Sequence, residues 1–183
     1  RMAKNQVQGW RSVYRPAALD FGTVGHQILE AVYGAFASGK LKRLDNDGFV
    51  RDTCRRLSGT HAKKSSQRWT PEDWEEHEDR EAQLAALMPA YFRFYAKKDA
   101  VKEALVEQPF RLPFAGTHIN GYLDYQRMVH KKWWLMDSKF LSRVDTDATA
   151  MVDVLCADFQ LNFYMLAMRL MHQQLAAGCL YNI

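Results

Sequence analysis

No stretch of the chain approaches the roughly eighteen uninterrupted apolar residues that a membrane-spanning helix needs, and its start lacks the charged, apolar, small-residue order of a secretory leader. Cysteine is scarce. Cys54, Cys156 and Cys179 are widely spaced and odd in number, so they form neither a zinc pattern nor a disulfide framework, and a reducing cytoplasm is the expected setting. There is no glycine-rich loop of the kind that cradles a nucleotide phosphate, no internal repeat and no low-complexity tract. What the chain does have is apolar bulk. At 183 residues, 48% hydrophobic and 13% aromatic, it suits one compact domain with a real core.

The net charge of +4 says little by itself about a partner. Its distribution says more. Residues 40 to 68 hold nine Lys/Arg against three Asp, whereas residues 72 to 81 hold seven acids and only Arg80 in return. The first segment suits contact with a polyanion backbone, or equally a solvated loop; the second reads as the exposed start of a helix.

Helical spacing runs from Thr23 to about Ser38 and ends near Gly39, a C-terminal cap. "GFVRDTCRRL" predicts a short helix, and "SGTHAKKSSQRW" after it a polar loop, so residues 40 to 70 are expected to be a mobile basic insertion of helix and loop. "TPEDW" predicts a helix start, with Thr70 as cap and Pro71 in the first turn; it extends toward Lys97 unless Pro89 kinks or breaks it. Extended structure follows from "EQPFRLPF" onward. A long Met- and Leu-rich helix, apolar on most sides and so expected to be well buried, is predicted from about Thr149 to Ala177. The irregular first fifteen residues and the ending "YNI", which carries no stop signal, suggest truncation at one or both ends. Helices, then strands, then a helix make an α/β layered domain.

The most informative segment is "INGYLDYQRMVHKKWWLMDSKF", residues 119 to 140. A hairpin turning at His130-Lys131 sets opposite residues at numbers summing to 261, which opposes Asp124 and Asp137. Lys139, two residues on, shares their face, while Ser138 points away and leaves a backbone carbonyl nearby. Two such close carboxylates repel, and a divalent cation with hard-oxygen preference removes that penalty. A carboxylate–lysine ion pair on a solvent face is the plainer account of the same residues. Elsewhere His26 lies on the first helix with Gly22 and Gly25 beside it, and Gln160 and Tyr164 share a face with Asp153 and Ala157 on the last helix.

In this order, G-x-x-x-H (Gly22 to His26), G-x-x-D (Gly121 to Asp124), D-x-K (Asp137 to Lys139) and Q-x-x-x-Y (Gln160 to Tyr164) resemble the RecB-like branch of the PD-(D/E)XK nucleases, which includes phage and CRISPR-associated exonucleases. The resemblance spans residues 19 to 183. It implies a mixed central β-sheet flanked by helices, a restriction-endonuclease-like core. It also implies His26, Asp124, Asp137 and the Ser138 carbonyl as metal ligands for Mg²⁺ or Mn²⁺, Lys139 as catalytic lysine, and Gln160 and Tyr164 as substrate contacts that order the site. Glu107 matches an acidic position of the preceding strand. Ser138 is smaller than the aromatic middle residue of many relatives. With Cys179 the only cysteine near the end of the chain, the iron–sulfur cluster of some relatives is not expected.

The resulting expectation is a metal-dependent deoxyribonuclease, an exonuclease of DNA processing, recombination or repair, in a bacterial or phage-infected cytoplasm. A helicase, recombinase or single-strand-binding protein is a fitting partner. Lys63, Lys64 and Arg68 are candidate phosphate contacts, with Trp69, Trp74 and His61 as stacking candidates. His77 and Glu81, one helical turn apart, are a weaker candidate for a metal pair. The alternatives are a non-catalytic DNA-binding module that keeps the fold, and a metal-dependent hydrolase of a small phosphorylated substrate. Retention of both acids and the lysine argues for activity.

Overall fold

The computed structural model describes residues 17–65, 69–100, 104–114, 116–140, 159–173 and 176–182. Helix α1 (Ala17–Ala37), α2 (Asp47–Ser65) and α3 (Pro71–Asp99) precede strands β1 (Ala104–Phe114), β2 (Thr117–Val129) and β3 (Lys132–Ser138), which are followed by helix α4 (Phe159–His172) and strand β4 (Gly178–Asn182). The sheet has four strands in the order β1-β2-β3-β4; the first two pairings are antiparallel and β3–β4 is parallel. A parallel neighbour cannot be reached by a tight turn, and α4 lies in the crossover. β1 stands at an edge, where Pro109 and Pro113 remove N–H donors at little cost to the ladder. This mixed sheet with flanking helices is the architecture expected from the sequence.

Two apolar cores lie against the sheet. One gathers Ile28, Val32 and Tyr33 of α1, Val50 and Cys54 of α2 and Leu84, Met88 and Phe92 of α3 with Tyr125 and Met136. The other joins Phe110, Leu112, Leu123 and Leu135 to Ala167 and Met168 of α4. Each fully buried large side chain contributes about 1.5–3 kcal/mol relative to exposure. Leu135 and Met136 go to different cores as β-alternation requires, but Leu123 and Tyr125, two apart, also go to different cores. The pleat of β2 is therefore broken at Asp124. β1 breaks on the same rung: pairing passes from Val106–Tyr125 to Gln108–Leu123, and the intervening Glu107 is left-handed at φ 49°.

The hairpin turns where expected. His130 and Lys131 both have positive φ (51° and 61°), the geometry of a tight two-residue turn, and pairs such as Val129–Lys132 and Tyr125–Met136 sum to 261. Regular pairing stops at Tyr125–Met136, one rung before Asp124 and Asp137.

Three expectations are corrected. The loop placed at Ser58 onward is helical to Ser65, because Ser58, His61 and Ala62 are buried; His61, 8% exposed, is no stacking partner. Pro89 does not break α3, which starts at the Thr70–Asp73 capping box and continues to Asp99. Proline's missing N–H leaves the Ala85 carbonyl without its usual helical donor, and Arg51 of α2 donates to that oxygen at 3.3 Å. The last helix, described from Phe159, exposes Phe159, Leu166 and Leu170, and the chain then enters β4 instead of staying helical. Residues 149–158, with Asp153 and Ala157, lie outside the described residues.

Candidate active site

The broken rung lies where α1 crosses the sheet. His26 Nδ1 is 3.4 Å from Asp124 Oδ2. The α1 backbone comes this close because Gly25 has no side chain: a Cβ there would stand 2.4 Å from the Phe140 ring. That ring packs edge-on against His26 and Phe21, at centroid distances of 5.5 and 5.8 Å, and so ties the end of β3 to α1. Gly22 heads the G-x-x-x-H spacing, yet a Cβ on it would meet nothing within 4 Å, so Gly25 is the glycine that packing requires. Gly121 is similarly pressed by Phe110, 2.5 Å from its notional Cβ.

Asp137 is 1% exposed, and among the described residues neither of its carboxylate oxygens accepts a hydrogen bond. Lys139 Nζ lies 3.1 Å from Asp137 Oδ2, an ion pair outside hydrogen-bond geometry. The ammonium donates to Gln160 Oε1 at 2.8 Å, and Gln160 Nε2 donates to the Tyr164 hydroxyl at 2.9 Å. α4 thus holds the lysine through a two-bond chain. Ser138 is buried and lines the pocket beneath His26 and Asp124.

Electrostatics follow from this crowding. The hydrogen bond and charge of Asp124 raise the His26 pKa, against the opposing effect of burial. Burial, reinforced by Asp124, raises that of Asp137 despite Lys139. Glu107 is pushed up to about 7 by burial, then by Asp124 and Glu30. Burial also raises Tyr164.

A family model of the PD-(D/E)XK nuclease superfamily matches residues 4–182. The chain belongs to the PD-(D/E)XK nuclease superfamily. No curated protein matches it. PD-(D/E)XK nucleases generally use a divalent metal such as Mg²⁺ and act on DNA. The residues here fit such an ion: the buried Asp137 carboxylate accepts no hydrogen bond among the described residues and has only the Lys139 ammonium beside one oxygen, so it can take a cation, and Asp and His supply the oxygen and imidazole donors. Among the described residues, no three His, Cys, Asp or Glu side chains converge as a ready ligand cluster. His26 and Asp124 face each other, and Asp137 is turned to Lys139.

For this nuclease the structure brings His26, Asp124, Asp137, Ser138, Lys139, Gln160, Tyr164 and Glu107 to one region. Lys63 is exposed on α2; the Lys64 side chain and Arg68 lie outside the described residues. Trp69 and Trp74 pack edge-to-face at 4.9 Å, with Trp74 41% exposed. His77 contacts Trp69 and lies 3.8 Å from Glu81, an ion pair within a helix turn. The motif spacing does not single out Glu30 or Phe140. Glu30 is one turn beyond His26 and lines the same pocket, a signal that the i, i+4 spacing carries.

Proposed function

We infer that the chain is a metal-dependent deoxyribonuclease of the RecB-like branch, acting as an exonuclease in DNA processing, recombination or repair. The observation that carries this reading is the placement of Lys139 between the Asp137 carboxylate and the Gln160 carbonyl, beside the His26–Asp124 pair. His26, Asp124, Asp137 and the Ser138 carbonyl would hold Mg²⁺ or Mn²⁺. When bound, that ion supplies Lewis acidity and neutralises charge on the scissile phosphate.

The chain's own residues do the positioning. Gln160, fixed by Tyr164, aims the Lys139 ammonium at the space beside Asp137. There the ammonium orients an attacking water and stabilises the negative charge that grows on the phosphate oxygens. Phe140 and the buried walls around Asp137 limit bulk water, which strengthens each of these interactions. The two described cysteines are free, in keeping with a reducing cytoplasm. A helicase, recombinase or single-strand-binding protein would deliver the DNA.

The test is cleavage of linear and circular DNA by purified protein with Mg²⁺ or Mn²⁺. Linear DNA should be degraded from its ends and circles spared. Asp124→Ala and Lys139→Ala should abolish cleavage while melting cooperatively. Intact single- and double-stranded DNA with both metals would sink the reading and leave the non-catalytic DNA-binding module. Cutting of circles would retain the nuclease and remove the exonuclease assignment.

A further inference from the structure

We propose that the groove between α1 and α2 seats a single DNA strand on its way to the site, with Arg56 as its phosphate contact and Gly34 as its open floor; this rests on the nuclease reading above. The groove encloses about 500 Å³ and is lined by Gln27, Glu30 and Gly34 of α1, Arg56 and Thr60 of α2, and Glu107 of β1. Glu30 and Glu107 also line the pocket beneath His26 and Asp124, so the two spaces share a wall.

Arg56 is distinguished from its neighbours on α2. Arg51 donates to the Ala85 carbonyl and Arg55 lies 3.7 Å from Asp52, whereas the exposed Arg56 guanidinium has no partner among the described residues. A planar, permanently charged fork with no partner among the described residues, on a residue lining a groove beside the proposed site, is suited to a phosphate.

Gly34 supplies an independent observation. It sits inside α1, where glycine is a poor helix former. A Cβ at this position would meet nothing within 4 Å, so no packing neighbour demands glycine there. What a side chain would enter is the groove. The groove is open to solvent, and its volume of about 500 Å³ has room for one nucleotide unit at a time. The two acids of the lining, Glu30 and Glu107, both belong to the wall shared with the site, so the phosphate contact falls to Arg56 on α2. Gln27, exposed on the same face, adds an amide donor for the backbone.

The experiment is fluorescence anisotropy with a fluorescein-labelled oligothymidylate in Ca²⁺ buffer, titrated over a range of salt, on wild type, Arg56→Ala, Gly34→Leu, Gly34→Ala and Arg55→Ala, each with a melting curve. Arg56→Ala should weaken binding several-fold and flatten the dependence of log K on log salt by about 0.7, one single-strand phosphate contact. Gly34→Leu should weaken binding tenfold or more with no fall in melting temperature. Gly34→Ala should melt a few degrees higher, and guards against misfolding of the leucine variant by weakening binding in a smaller measure. Arg55→Ala should bind as wild type.

The proposal is overturned if wild type does not bind the strand, if the Arg56 and Gly34 variants bind as wild type, or if Arg55→Ala weakens binding as much as Arg56→Ala. Normal strand binding that responds to these variants, without cleavage of any DNA under Mg²⁺ or Mn²⁺, keeps the groove and removes the nuclease. Wild-type KM for linear DNA in Arg56→Ala and Gly34→Leu keeps the nuclease and removes the groove.

Discussion

Replacing Asp137 by Asn should make the metal-free protein more stable while destroying its response to metal. Asp137 is 1% exposed, both oxygens lack hydrogen-bond donors among the described residues, and burial raises its pKa even with Lys139 adjacent. A carboxyl whose folded pKa is raised contributes its stability below the unfolded value. That contribution is lost as pH rises through the folded value, because the unfolded chain then ionises more readily. At neutral pH the buried charge therefore works against folding. Asparagine keeps a polar group there but removes the charge, so the relief is the desolvation of the carboxylate less the lost Lys139 ion pair, about 1 kcal/mol. In a domain of this size that is about 2–4 °C in Tm. A cation at a hundred times its Kd adds about 2.7 kcal/mol to wild type alone, about 5–10 °C. Differential scanning fluorimetry in EDTA and in Mn²⁺, at acid and neutral pH, should show the two proteins exchanging rank. His26, Asp99 and Glu107 also have raised pKa values and lose stability in the same direction, so the informative quantity is the difference between wild type and variant. If Asp137→Asn melts below wild type in EDTA at neutral pH, or if Mn²⁺ stabilises both alike, the account of Asp137 as a cation-seeking carboxylate is wrong.

Further expectations concern individual contacts. Gln160→Leu removes the acceptor that holds Lys139; a hydrogen bond to a charged group is worth about 1.5–3 kcal/mol, so kcat should fall about 10- to 100-fold with Tm within a few degrees of wild type. Unchanged turnover on DNA would show that the lysine does not need its tether. Glu107→Asn should raise stability by about 1 kcal/mol, since asparagine tolerates the left-handed backbone at φ 49° better than glutamate and carries no buried carboxyl; urea denaturation measures it. Arg51→Met should cost up to about 1 kcal/mol in wild type and close to nothing in a Pro89→Ala background, where the restored backbone N–H satisfies the Ala85 carbonyl; a double-mutant cycle by urea denaturation reads the coupling.

The hairpin was legible because its information is local. The turn at His130-Lys131 fixes the register as far as Tyr125–Met136; the pleat of β2 breaks at the next rung, so the opposition of Asp124 and Asp137 that period-two alternation predicts is not part of the observed pairing. Thr70 and Pro71 likewise announce α3 through a cap that involves only residues 70 to 73. The remainder depended on partners far away in sequence. Ser58, Thr60 and the lysines after them look like a loop until the burial of His61 and Ala62 is known, and Pro89 looks like a break until Arg51 satisfies the carbonyl it orphans. β4 carries too short an apolar pattern to be recognised before β3 stands beside it. In the site, the four spaced motifs named most of the polar residues. Phe140 was silent because its importance lies in filling the space above Gly25, and the break in the pleat at Glu107 and Asp124 has no signature in composition.

The buried polar residues behind the site carry a consequence for how it is held. Tyr33, two turns along α1 from His26, donates to Asp99 Oδ2 at 2.6 Å and stacks on Tyr125 at 4.4 Å. Asp99 Oδ1 accepts from Arg127 at 2.9 Å, and the Asp99 carbonyl accepts from Tyr125 at 3.0 Å. α1, the end of α3 and β2 are thus tied together at Tyr125, the residue that follows Asp124. A helix sliding by even a fraction of a turn would have to leave several buried polar groups without partners at once, each at a cost of about 1–3 kcal/mol. The gap between His26 and Asp124 is therefore gauged by a buried carboxylate behind it, much as a spacer sets the opening of a vice. On the proposed metal-dependent reading, cation affinity would thereby be set partly by the last residue of α3.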